Sequence, residues 1–117
     1  MEKTYFMNLN ETPFRLILNE KKTIEMRLNK GERKNIKSGD CIIFSHSLDD
    51  TKLKVKVLSV SEFNSFKELY EHFPKEKLGY EPHEVASYKD MNIYYSDEDI
   101  LAYGVLGIEI KLIEIIK

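Results

Sequence analysis

Residues 20–40 read EKKTIEMRLNKGERKNIKSGD, and the parsing of this stretch decides the architecture of the chain. Thr23 to Leu28 alternates polar and apolar residues, the period-two signature of a strand with Ile24, Met26 and Leu28 on its buried face. The same geometry puts Thr23, Glu25 and Arg27 together on the face opposite the core, with Lys22 where the chain enters the strand. A charged loop, GERKNIKSGD, follows, and Ser38-Gly39-Asp40 is a turn signal leading into the apolar strand Cys41–Ser45. Arginine suits a phosphate or a base edge through paired hydrogen bonds, and lysine is a point charge for phosphate or a base if burial depresses its pKa. Glu25 is placed to hold Arg27, to accept from an exocyclic amine, or to act as a general base. The bland reading of the same residues is a solvent-facing strand with an ordinary ion pair, worth at most ~1 kcal/mol.

Working outward, residues 3–8 form a first strand. Thr12 as cap and Pro13 at the first helical position open a helix carrying Phe14, Ile17 and Leu18. Beyond a weak turn at Asp49-Asp50, Leu53, Val55 and Val57 alternate with Lys52, Lys54 and Lys56, a lysine row that reads as an edge-strand or solvated face. Leu58 breaks the alternation and marks a bulge or a change of buried face. Ser65 caps a short helix with Phe66, Leu69, Tyr70 and Phe73. Glu81-Pro82 opens a second helix through about Met91, Ser96–Asp99 starts a short third one, and Val105–Ile116 is the closing strand. The chain reads as one α+β domain over residues 1–117: a mixed or antiparallel sheet, with six strands' worth of alternation suited to a small closed barrel flanked by helices.

Composition narrows the function classes. With 42% hydrophobic and 32% charged residues, the chain is neither disordered nor collagen-like, and no apolar run approaches a membrane span. The N-terminus lacks the pattern of a signal peptide, and a single cysteine, Cys41, permits no internal disulfide, so a cytoplasmic setting is expected. The net charge of −2 hides a split. Residues 15–37 hold eight basic and three acidic residues, whereas residues 62–99 hold ten acidic residues and four lysines. A polarised surface with a basic face is expected; the acidic region alternatively docks a protein partner.

The string Lys22-Thr23-Ile24-Glu25-Met26-Arg27, the Ile36-Lys37-Ser38-Gly39-Asp40 turn into Ile42-Ile43-Phe44, and the late Tyr103–Ile108 stretch together resemble the ASCH domain family. That family's signature is Gly-x-Lys-x-x-Glu-x-Arg, soon followed by a Gly-Asp turn and an apolar strand. Its leading glycine falls here on Glu20, so a tight turn at that point is expected from Asn19 in a left-handed conformation. The resemblance implies a PUA-like β-barrel with flanking helices and a cleft lined by Lys22, Glu25 and Arg27. It implies RNA or a nucleotide as ligand; no cofactor is expected, and the single cysteine and lack of an apolar span speak for no metal and no membrane. Some members are enzymes: one small bacterial group hydrolyses N4-acetylcytidine with a Lys–Thr–Glu set. Aligned to that group, Lys22 falls on the lysine but Glu25 on the threonine, and the third carboxylate would come from the acidic middle region. Amide hydrolysis or RNA cleavage with Lys22 and Glu25 as catalytic groups is thus the alternative to a binding module.

The RNA- or nucleotide-binding candidates are Lys22, Thr23, Glu25, Arg27, Ser45 and Tyr95. Ser45 ends the strand after the Gly-Asp turn beside His46, and this pair formally permits nucleophilic catalysis, although adjacent strand residues point to opposite faces. Of Tyr94 and Tyr95, one is expected in the core and one in the cleft, where its ring would stack on a base.

Overall fold

Alternation of side chains in five segments builds one mixed sheet. The computed structural model describes residues 2–117. In chain order the elements are β1 (Thr4–Leu9), α1 (Glu11–Leu18), β2 (Ile24–Leu28), β3 (Cys41–His46), β4 (Lys52–Phe63), α2 (Phe66–His72), α3 (Asp97–Tyr103) and β5 (Val105–Ile116). Turns of 3-10 helix cover Gly31–Asn35, Lys75–Leu78 and Tyr88–Ile93. The strand order is β1-β3-β4-β5-β2, with β1 and β3 parallel and the other pairs antiparallel. The sheet curls into a half-barrel with β1 and β2 as its two edges. Five strands, not six, supply the alternation, because β4 and β5 are each 12 residues long and count for more than one strand's worth of pattern.

Leu58 is the bulge that the broken alternation announced: Val57 pairs with Ile110 and Ser59 with Glu109, leaving Leu58 unpaired in the register. The extra residue shifts the phase of β4. Before it, Leu53, Val55 and Val57 enter the concave core beside Tyr5, Met7, Leu9, Phe14, Ile17, Ile42 and Phe44. After it, Phe63 packs into a second cluster on the outer face, formed by Ile24, Met26, Leu28, Phe66, Leu69, Leu78, Met91 and Val105. α2 docks there on Gly107, where a Cβ would stand 2.7 Å from the Phe73 ring. The lysine row is not on an edge: β4 lies between β3 and β5, and Lys54 is registered against Glu114.

Two helix expectations are corrected. α1 begins at Glu11 after Asn10, and Thr12 does not cap it; Pro13 is tolerated because first-turn amides have no intrahelical acceptor, the first bond being Phe14 N–H to the Asn10 carbonyl. The helix expected over 81–91 is absent except for the 3-10 turn at its end. The Lys75 ammonium donates to the carbonyls of Pro82 and Glu84, which a helix would need for its own amides. α2 starts as expected, with the Ser65 hydroxyl accepting from Glu68 N–H. No helix among the described residues is long and apolar enough to cross a membrane.

His46 closes the end of β3 rather than lining a cleft. Its ring stacks on Phe14 at 4.3 Å, Nε2 lies 2.8 Å from Glu11 Oε2, and Nδ1 lies 3.1 Å from Asp49 Oδ1. Burial disfavours the imidazolium, but the carboxylates of Asp49 and Glu11 outweigh it and raise the pKa above the ordinary histidine value. A raised folded pKa makes the stabilisation complete below the unfolded value of about 6.5 and removes it as pH rises through the folded value. Urea unfolding followed between about pH 6 and pH 8 should therefore show falling stability, and His46→Gln should flatten that slope. An equal slope in the variant would show that another group carries it.

Candidate functional site: a buried Lys–Glu–Arg trio at the open seam

The two edge strands leave a seam in the half-barrel, and the trio from residues 22–27 sits across it. Alternation along β2 sends Ile24, Met26 and Leu28 to the outer cluster and Glu25 and Arg27 toward the concave side, opposite Ile108 and Leu106 of β5. The expectation of a solvent-facing strand is thus overturned. β2 is covered on both faces, and Glu25 is 2% exposed. Glu25 Oε1 lies 3.1 Å from Lys22 Nζ, and Oε2 accepts from Arg27 Nε at 2.8 Å. Arg27 Nη2 then donates to the Asn8 carbonyl at 3.1 Å, joining the β2 edge to the end of β1.

Burial alone would raise the Glu25 pKa, but Lys22 and Arg27 outweigh it and hold the carboxyl below its ordinary range. Burial likewise opposes the Arg27 charge, and Glu25 more than restores it. Glu25 and Arg27 thus hold each other in their charged forms. The Arg27 guanidinium also faces the Tyr95 hydroxyl, and Lys22 Nζ has only Glu25 as an ion-pair partner among the described residues, so hydrogen-bonding capacity remains on the lysine.

Lys22 is delivered by the end of α1. Glu20, not Asn19, takes the left-handed conformation, at φ 58°. Glu20 N–H donates to the Ile17 carbonyl and Lys21 N–H to that of Leu16, the paired bonds of a Schellman turn with Glu20 at the position usually given to glycine. From the other side Gly79, at φ 106°, closes on Lys22: a Cβ there would lie 3.0 Å from Leu16 Cδ1 and 3.5 Å from Lys22 Cβ. The lysine stem is thus held between two turns.

Around the trio lies a cleft of about 440 Å³, within the size range of small-ligand sites. Its floor is Lys22, Glu25 and Arg27, one wall is the β1–α1 junction from Asn8 to Leu16, and the other is the segment carrying Tyr70, Tyr80, Glu84, Asp90, Tyr94 and Tyr95. On that wall the Tyr80 hydroxyl donates to Asp90 Oδ2 at 2.7 Å and lies 3.0 Å from the Tyr70 hydroxyl, the arrangement of a short hydrogen-bonded chain. Burial, with Tyr70 and Asp90, pushes the Tyr80 phenol far up. Tyr95 stacks on Phe66 at 5.9 Å with its plane tilted 16°, and its hydroxyl faces the Arg27 charge, so this ring is half core and half cleft. Tyr94 is the exposed ring, at 53%.

Of the residues expected from sequence, Lys22, Glu25, Arg27 and Tyr95 come together. Thr23 does not join them. It opens on a separate cavity of about 190 Å³ behind Lys22, with Glu20, Leu58, Glu109 and Lys111. Ser45 stays outside as well: its register against Asn8 and Lys52 puts it on the outer face of the sheet. Sequence reasoning missed Tyr70, Tyr80 and Asp90 as one chain, since no periodicity links residues brought together by an irregular segment.

These features have a family. The ASCH domain matches residues 7–114. The chain belongs to the ASCH domain family. Among solved structures, this ASCH domain is similar to the crystal structure of hypothetical protein PH0355, at 37% identity and TM-score 0.80, covering 94% of this chain and 99% of that one. It is also similar to the solution NMR structure of protein PF0455 from Pyrococcus furiosus, at 35% identity and TM-score 0.66, covering 95% and 98%. No curated protein matches the chain.

Two stability outcomes follow from this geometry. Glu25→Ala leaves two buried cations facing each other and should cost about 3–5 kcal/mol in urea unfolding. Glu20→Gly relieves the left-handed strain and should stabilise by roughly 1 kcal/mol, read as a higher midpoint at unchanged slope. A neutral result for Glu25→Ala would mean that the trio is solvated.

Proposed function

We propose that this ASCH domain binds RNA, in a cytoplasmic setting, by seating one nucleotide in the cleft, with its base against the tyrosine wall. The observation that supports this reading is the placement of the Lys22–Glu25–Arg27 trio, with unused donors, at the floor of a cavity lined by Tyr70, Tyr80, Tyr94 and Tyr95. Donor groups on the floor address the acceptor atoms of a base edge or a phosphate, and exposed Tyr94 offers a stacking face. Thr23 and Ser45, on other surfaces, have no part in this reading.

The depressed pKa of Glu25 favours binding over acid–base catalysis. A carboxylate held by two cations is a weak general base, and it carries no proton to give as a general acid at neutral pH. One observation supports hydrolysis of a modified nucleoside as a second reading: the acidic middle region supplies Asp90 and Glu84 to the wall across from Lys22.

The test is an amide NMR titration with a short single-stranded RNA and, separately, with N4-acetylcytidine, watching the latter for free acetate. Binding predicts RNA-induced shifts from Lys22 to Arg27 and at Tyr94, with no acetate released and no RNA cleaved. Tyr94→Ala, a change at the exposed rim that leaves the trio intact, should weaken RNA binding by about 1–3 kcal/mol, roughly 5- to 150-fold. Acetate release lost in Lys22→Ala would establish the second reading, and silence with both ligands would remove the first.

A further inference from the structure

The cleft accounts for Lys22 and Arg27 but not for the basic residues immediately beyond them. β2 ends at Leu28, and the chain turns through Lys30 into the 3-10 turn Gly31–Asn35, which carries Arg33 and Lys34, with Lys37 just after it. Some exposed cations are matched, Arg15 with Glu11, Lys21 with Glu81 and Lys56 with Glu2, and others, such as Lys52 and Lys54, stand singly along a strand; the turn differs in gathering four cations within eight residues. Lys30, Arg33, Lys34 and Lys37 have no carboxylate within ion-pairing distance among the described residues, although Glu32 lies in the same turn. An uncompensated group of cations raises the local potential where it stands.

Its position relates it to the cleft. Lys30 lies three residues past Arg27, at most roughly 10 Å along extended chain. Asn29 N–H donates to the Gly104 carbonyl at 3.0 Å, tying the turn's base to the end of α3, and Lys30 Nζ stands 4.8 Å over the Tyr103 ring. Arg33 is half-buried, and its charge is felt at the hydroxyl of Tyr95, a residue of the cleft wall. The floor of the cleft has its own charges largely balanced by Glu25, whereas this rim does not.

We propose that the turn at Lys30–Lys34 carries backbone phosphates flanking the nucleotide seated in the cleft, so that the ligand is a strand of single-stranded RNA rather than a free nucleoside. The inference rests on the cleft reading given above and adds to it a path for the strand, out over Lys30 and Arg33. Base contacts in the cleft would select, and phosphate contacts on the turn would supply a salt-dependent share of the affinity.

The experiment compares wild type, Lys30→Gln/Arg33→Gln and the outer-face control Lys52→Gln/Lys54→Gln. Each is measured for affinity to a mixed-sequence single-stranded RNA oligonucleotide across a salt series, and for NMR shifts with the free ribonucleosides. Each phosphate contact contributes about 0.7 to the slope of log affinity against log salt. The turn variant should therefore lower that slope by roughly 1.4 and weaken RNA binding at least about tenfold at low salt. Its nucleoside shifts in the cleft should be retained, the control should behave as wild type, and Arg33→Lys should keep most of the slope. RNA binding through the cleft with an unchanged slope in the turn variant overturns this inference alone. Absence of both RNA and nucleoside shifts in the wild type overturns the cleft reading and this inference with it. Equal losses in the turn variant and the control would assign the effect to total charge and overturn the placement.

Discussion

Glu25 is an ionised carboxylate removed from water on an edge strand, and most of what surrounds it follows from that constraint. Burying such a group alone would cost several kcal/mol or force its protonation. Lys22 and Arg27 prevent this by reaching it from either side, at 3.1 Å and 2.8 Å. Each cation then needs its own support. The Lys22 stem is confined between the Schellman turn at Glu20 and the close approach of Gly79. Arg27 uses a further N–H on the Asn8 carbonyl, which ties the two sheet edges where no strand ladder does. A hydrophobic replacement of the trio could pack the seam at no loss of stability, so stability alone does not call for a charged trio there.

Much of the sheet was legible because alternation reports which residues share a face; each of the five strands has a counterpart in the pattern, although β4 runs on to Phe63 past the break at Leu58. What alternation does not report is whether the polar face meets water. Glu25 and Arg27 look like surface residues by composition, yet β2 is sandwiched between the concave core and the α2 cluster. Burial there depends on β5 and α2, distant in sequence. The family signature names Lys22, Glu25 and Arg27, which the fold brings into contact, but it could not separate Thr23 or Ser45 from them. One lies behind the lysine and the other across the sheet. Segment 81–91 was misread because Pro82 at a helix-like start was weighed without Lys75, whose ammonium takes the carbonyls that a helix requires.

The charge split in the sequence acquires a geometric meaning in the cleft. Basic residues from the first third of the chain form the floor, and acidic residues from the 62–99 region, Glu84 and Asp90, stand on the opposite wall. A bare phosphate placed between them would meet Asp90 and Glu84 at the same time as Lys22 and Arg27, and like-charge contact would offset much of its gain. A nucleobase presents no such conflict: it is neutral, it carries acceptors and donors on different edges, and its faces match the tyrosines. On the proposed reading, the cleft therefore takes the base rather than the backbone. If the ligand is a nucleic acid, its phosphates belong on cations without a facing carboxylate, and the turn that follows β2 meets that condition.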